Sequence, residues 1–206
     1  MAVVLGTNAG FVSVSPTNSP AATSTTVDAF KFAVKDTAPV GAIKITEIGW
    51  WNNAATEEAN FEVGLYSHDA VNNKPNVRLF VAPINAKGTG SAEWKRVTVD
   101  WEITAGTIYW IAFQLDNTAS ASKSNYSAQA TIQSHFVAAT TLSDPWGSST
   151  ASLSLYSIYA LVSLNVLPSI TDQSSDTIVN EGGVVNLFVT AEGIPDPEYQ
   201  WYFKNV

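Results

Sequence analysis

From Phe30 onward the chain alternates apolar and polar side chains with a period of two. Phe30, Phe32 and Val34 interleave with Lys31, Ala33 and Lys35. Phe61, Val63 and Leu65 interleave with Glu62, Gly64 and Tyr66, and Val97, Val99, Trp101 and Ile103 with Thr98, Asp100 and Glu102. This spacing predicts strands with one dry face, because successive side chains of an extended chain point to opposite sides. The segment Ile108–Leu115 is apolar in both parities, which predicts a central strand covered on both faces. The stretch 151–167 begins with Leu153 and Leu155 in one parity and continues with Tyr156, Ile158, Ala160 and Val162 in the other, predicting one long final strand with a bulge. Residues 1–29, rich in Ala, Ser and Thr and punctuated by Pro16 and Pro20, read as an arm or an edge strand. No segment sustains a helical period, so the expected class is all-β, with recognition concentrated in the polar loops 68–75, 85–93, 116–126 and 143–149.

Composition narrows the chemistry. The 206 residues are 46% hydrophobic and carry ten basic against eighteen acidic side chains, a formal charge of −8, so no broad cationic surface is expected for nucleic acid. Seven Trp, one Met and no Cys remove disulfides, thiolate zinc sites and cysteine nucleophiles together, leaving packing to stabilise the fold. The N-terminal Met-Ala-Val-Val-Leu-Gly is followed by no basic residue before Lys31, so no secretory signal is expected. The apolar stretch around 159–167 is interrupted by Ser163 and Asn165 and falls far short of the ~20 residues of a membrane-spanning helix. No membrane insertion is expected.

Candidate reactive groups are sparse. His68 and His135 sit in no nucleophile-elbow setting, and Glu57 and Glu58 are adjacent in a polar turn, where neighbours rarely face one substrate. Glu47, Glu62, Asp100 and Glu102 lie on or beside strands and read as outward solubilising charges. Asp116, Asn117 and Asp144 offer oxygen to a calcium ion, but without the spacing of a dedicated loop. Asn125-Tyr-Ser127 is a glycosylation sequon, and Gly88-Thr-Gly90 lacks the Lys-Ser/Thr of a phosphate loop. The expectation is therefore no enzyme, no catalytic residue, no cofactor and no metal. Aromatic side chains are the remaining signal, because a wet indole stacks on a sugar face while amides take the hydroxyls. Trp50 shares the parity of Ile48 and reads as core, as do Trp101 and Trp110; Trp51 with Asn52, Trp94 and Trp146 are the candidate ligand-binding residues. A core edge or a loop anchor is the competing reading for each of these three Trp residues.

Four segments carry a resemblance. Ile45-Thr-Glu-Ile-Gly-Trp-Trp, Phe61-Glu-Val-Gly-Leu-Tyr-Ser, Trp94-Lys-Arg-Val-Thr-Val-Asp-Trp and Ala105-Gly-Thr-Ile-Tyr-Trp-Ile-Ala-Phe-Gln together look like an antiparallel jelly-roll β-sandwich module of phage virion and prokaryotic surface proteins. Beyond it, Glu181-Gly-Gly, Glu192-Gly-Ile-Pro-Asp-Pro and Tyr199-Gln-Trp201 resemble the front half of an immunoglobulin-like domain, with Trp201 at the core-Trp position and Val189 where that family has its strand-B cysteine. The resemblance implies an arm over 1–29, a sandwich over 30–167 and an incomplete immunoglobulin-like domain over 168–206, a stretch cut from a longer modular protein or paired with something outside the chain. It also implies a non-catalytic structural or adhesion component of a phage-like virion: a capsid decoration, fibre or tail appendage. Its partners would be other virion proteins or host surface glycans, within a homo-oligomer or larger assembly. The alternative is a carbohydrate-binding module of a secreted or cell-surface protein.

Overall fold

The computed structural model describes residues 2–53, 61–82, 92–115 and 123–202. Glu57, Glu58, Asp116, Asn117, Gly88-Thr-Gly90 and Phe203 lie outside the described residues, as do most of the loops expected over 85–93 and 116–126. The chain divides into two compact units, Met1–Ser163 and Leu164–Val206, each described by itself.

The first unit is built from strands β1 (Gly10–Val12), β2 (Thr23–Thr26), β3 (Phe30–Thr37), β4 (Ala42–Asn52), β5 (Phe61–Asp69), β6 (Lys74–Ala82), β7 (Glu93–Glu102), β8 (Ile108–Leu115), β9 (Lys123–Ala128), β10 (Ser134–Ala138), β11 (Thr150–Ser152), β12 (Ser154–Tyr156) and β13 (Ile158–Leu164). The described residues contain no helix. A four-stranded sheet runs β1-β13-β4-β7, a six-stranded sheet β11-β10-β3-β8-β5-β6, and a three-stranded sheet β12-β9-β2. The pairings are nested: β5 with β6, β4 with β7, β3 with β8, and β1 with β13, as if one long hairpin bent at the β5–β6 turn had been rolled up. β3 with β8, β4 with β7, β5 with β6 and β5 with β8 pair antiparallel, whereas β1 and β13 run parallel.

The two larger sheets bury a ring-rich core between them. Trp50 of β4 stacks on Phe113 of β8 at 5.0 Å and 4°, and meets Phe61 of β5 edge-on at 5.9 Å. Phe32 of β3 stacks on Phe113 at 5.4 Å and approaches Tyr156 of β12 at 4.6 Å. Ile45, Ile48, Val63, Leu65, Ile111 and Ile158 fill the remainder without solvent contact. Each such side chain contributes about 1.5–3 kcal/mol through removal from water, and each aromatic pair about 0.5–1.5 kcal/mol more. The alternation read from the sequence thus becomes the inward face of an all-β sandwich.

The expected single final strand is corrected. Residues 150–164 form three short strands that serve three different sheets: β11 the six-stranded, β12 the three-stranded and β13 the four-stranded. The parity change seen in the sequence marks these transfers, at Leu153 and Ser157, rather than a bulge.

In the second unit, β14 (Val166–Gln173) pairs antiparallel with β15 (Val189–Ile194) through two register shifts. No described residue from 164 to 202 is buried. Trp201, which matches the core-Trp position of the immunoglobulin-like family, is 56% exposed, because a single two-stranded layer has no opposing sheet to cover an indole. The change of texture near Pro168 falls inside β14.

Candidate functional site

Consecutive residues of β4 face opposite ways, so Trp50 enters the core while Gly49 and Trp51 look out from the four-stranded sheet. Trp51 lies opposite Trp94 of β7 in the strand register, the two rings meeting edge-on at 5.6 Å, and Trp94 meets Tyr159 of β13 at 5.1 Å. This is the aromatic platform expected from the sequence, but it is not wet. Residues 13–20 pass over it: Trp94 Nε1 donates to the Asn18 carbonyl at 3.1 Å and Arg96 Nη2 to the Pro16 carbonyl at 2.7 Å. Trp51 and Trp94 are each 6% exposed and Asn52 is 1% exposed, which corrects their assignment as an open ligand surface. Glu47, expected to be a solvated charge, accepts from Tyr159 Oη at 2.5 Å and from Ser15 Oγ at 2.8 Å and pairs with Arg96 at 3.7 Å. Burial, reinforced by Glu47, pushes the Tyr159 phenol above its ordinary range.

The outer face of the six-stranded sheet is closed in the same manner by residues 139–149. Small side chains at Ala33, Gly64 and Ala112 leave a trough on this face, and Leu142 and Trp146 fill it against Tyr66 and Trp110. Trp146 is fully buried and meets Tyr66 edge-on at 5.0 Å; its amide donates to the Asn76 carbonyl at 2.8 Å. Lys31 is buried beneath it, donating to Ser143 Oγ at 2.6 Å and to the Trp146 carbonyl at 2.8 Å with its ammonium 4.3 Å from the indole centre. Burial lowers the Lys31 amine to about 8. Asp144, a candidate calcium ligand, accepts from the Arg78 amide at 3.0 Å. Trp146 is therefore a packing residue of a second core, which corrects its reading as an exposed loop contact.

Both histidines flank Trp110. Its indole N–H donates to His68 Nδ1 at 3.0 Å, which fixes the neutral His68 ring with its proton on Nε2. His135 stands edge-on to the same indole at 5.2 Å; its Nε2 donates to the Asn73 carbonyl at 3.1 Å and its Nδ1 accepts from Ser149 Oγ at 2.9 Å. Burial, then the positive field of Lys35, lowers the His68 imidazole against the smaller opposing pull of Asp69. Burial lowers His135 as well, aided by Lys74 and Lys35 and opposed by the hydrogen bond to Asn73. A base whose folded pKa lies below its unfolded value is protonated first in the unfolded chain, so stability falls as the pH drops through and below about 6.5. Urea unfolding at pH 7.5 and pH 5.5 is expected to give the lower midpoint at pH 5.5, and a His68→Gln, His135→Gln double variant to flatten the difference. Equal slopes in the two proteins would remove the histidines as its source.

Among the described residues no group of three or more His, Asp or Glu side chains is placed to hold a metal ion. The Asn125 sequon is buried, with Nδ2 donating to the Pro20 carbonyl, so glycosylation of the folded unit is excluded on steric grounds. The open aromatic surface lies in the second unit. There a groove of about 570 Å³ is lined by Phe188, Tyr199 and Trp201 together with Gln173, Asp176 and Gln200. Tyr199 is held to the ribbon by its hydroxyl, which accepts from the Ala191 amide at 2.9 Å. This cluster was missed as a site because Trp201 read as core. The alternation Tyr199-Gln200-Trp201, which puts both rings on one side of an extended chain, is the signal that marks it. Comparison with protein-family models, curated proteins and solved structures gives no match for this chain.

Proposed function

We propose that this chain is a non-catalytic structural or adhesion component of a phage-like virion, a decoration, fibre or tail appendage that presents a β-sandwich on the particle surface. One observation carries the reading. The sandwich interior is filled, and a patch of each outer face is covered, by the chain's own side chains and segments, while the residues beyond 164 keep Leu167, Ile170, Phe188, Tyr199, Trp201 and Tyr202 in solvent. Such a distribution suits a rigid body whose work is contact with other macromolecules. The nested strand pairing supports the jelly-roll resemblance, since first-with-last pairing across two sheets is the layout of that fold, with the parallel β1–β13 pair as a departure. Excess negative charge keeps free copies apart before assembly. The partners are other virion proteins or host surface glycans.

The test is quantitative mass spectrometry of particles purified from the producing strain. Peptides of this chain at a fixed ratio to the major capsid protein are expected; their absence from particles, with the protein present in the culture, would overturn the proposal. A second reading, a carbohydrate-binding module, is favoured by the groove in which Tyr199 and Trp201 stand beside Gln173 and Gln200. A glycan array probed with the intact chain and with Trp201→Ala separates the two: sugar binding lost in the variant supports that reading, and no binding by the intact chain removes it.

A further inference from the structure

The indole of Trp110 is fully buried, and its N–H donates to Nδ1 of His68 at 3.0 Å. With the ring proton on Nε2, Nδ1 carries the one lone pair of the imidazole able to take a proton, and this bond occupies it. A second proton arriving at Nδ1 sets two N–H groups against each other, so the ring must move away and the buried indole loses its acceptor. His135, on the other flank of the same indole, behaves differently. Its Nε2 donates to the Asn73 carbonyl in either charge state, and a proton on Nδ1 is received by Ser149 Oγ once that hydroxyl turns. One histidine therefore ionises in place and the other does not.

His68 holds the end of the β5–β6 hairpin. The turn 70–73 is shaped from within by Asp69, whose carboxylate accepts from the amides of Val71 and Asn72 and from Asn72 Nδ2. Its far end is pinned separately, because Asn73 takes Lys35 Nζ on its side-chain oxygen at 2.9 Å and His135 Nε2 on its carbonyl. Opposite His68 in the register stands Pro75, which has no amide to give the ladder. The His68 ring also has room to leave: with Ser67, Leu79 and Tyr109 it lines an open recess of about 530 Å³. The surrounding charges favour that direction. Lys35 of β3 lies 5.9 Å from the Trp110 ring centre, and Lys74 of β6 stands opposite Asp69, so two cations accompany one carboxylate. Asp36, next to Lys35, faces the other side of β3 and accepts from the Phe11 amide, while Arg78 of β6 is committed to the Leu142 carbonyl. The phenols of Tyr66 and Tyr109 are bound to the Ser143 carbonyl and the Thr104 amide. We propose that His68 is an acid-operated latch: on taking a second proton it releases Trp110, and residues 68–72 swing out about Asn73, which Lys35 and His135 keep in place. Burial and Lys35 hold the His68 imidazole below its ordinary value, so the closed form is favoured at neutral pH and release falls on the acid side of about 6.5. The inference goes beyond the reading above and does not depend on it.

The chain has two histidines, so each single variant assigns the ring signals of the other. The full chain, labelled with nitrogen-15, is titrated from pH 7.5 to pH 4.5 by NMR, following both imidazoles, the seven indole N–H groups and the amides of residues 69–73. The Trp110 indole proton is expected to lose about tenfold in hydrogen-exchange protection with the midpoint of the His68 ring, and the Asp69 and Val71 amides to shift with it. The other indoles and the Asn73 amide are expected to hold still. His135→Gln is expected to keep this transition. His68→Asn is expected to remove it, because the Asn side-chain oxygen stands close to the place of Nδ1 and accepts the indole N–H at every pH. Ionisation of His68 with no change at Trp110, loss of protection at all indoles together, or a transition that vanishes with His135 and survives without His68 would overturn the proposal. A His68 ring that stays neutral down to pH 4.5 would do the same.

Discussion

Trp146→Ala is expected to lower the free energy of unfolding by about 3–5 kcal/mol, the range for emptying a buried site of a large aromatic ring. The indole is fully buried among Tyr66, Trp110, Ala112 and Leu142, with the Lys31 ammonium 4.3 Å from its ring centre. Its loss leaves a cavity that the strands beneath cannot close, because they are locked in the six-stranded sheet. It also strips Lys31 of a ring contact, leaving a buried charge with fewer partners. Chemical denaturation of the two proteins measures the effect. A change within about 0.5 kcal/mol, the usual scale for a surface position, would show that the 139–149 segment does not pack as described.

This position also shows where the sequence could be read and where it could not. The double-sided apolarity of Ile108–Leu115 correctly announced a strand covered on both faces, and Trp110 and Ala112 are indeed covered. What covers them was not legible. The segment 143–149 is rich in Ser, Gly, Asp and Pro, a composition equally suited to a free loop, and the trough that receives it is made by Ala33, Gly64 and Ala112 from three separate strands. Alternation reveals which side a residue faces, but it is blind to a lid contributed from a distant part of the chain. The same limit applies to Trp51 and Trp94. Their outward direction followed from parity, and their burial comes with Val12, Tyr159 and the stretch around Asn18, far away in sequence. In the second unit Trp201 matches the position of a core Trp, yet its exposure is decided by whether an opposing layer exists.

Gly49→Ala is expected to destabilise the first unit by about 3 kcal/mol, the upper end of the usual overpacking range. A methyl group in a strand interior would ordinarily help by about 0.5–1 kcal/mol relative to Gly, so the sign itself is diagnostic. A Cβ at this position would lie 2.5 Å from Cε1 and Cζ of Tyr159 and 2.6 Å from its hydroxyl. The ring has nowhere to retreat, since Oη is bound to Glu47 and Arg96 and its flank rests on Trp94. A double-mutant cycle with Tyr159→Ala checks the cause: the two losses are expected to fall short of additivity by about 1–3 kcal/mol, because removing the ring makes room for the methyl. Full additivity would place the strain elsewhere. The glycine in Ile48-Gly49-Trp50 therefore has a packing reason, the close approach of a phenol ring to the backbone.

The relay of β11, β12 and β13 through three sheets has a kinetic corollary. Residues 150–164 supply a strand to every layer of the first unit, and β13 joins β1, which was made near the start of the chain. During synthesis no layer is finished until this late stretch has left the ribosome, and such distant pairings close slowly against chain entropy. Nascent copies therefore spend the longest time with unfinished sheet edges, and the success of folding is decided at the last step.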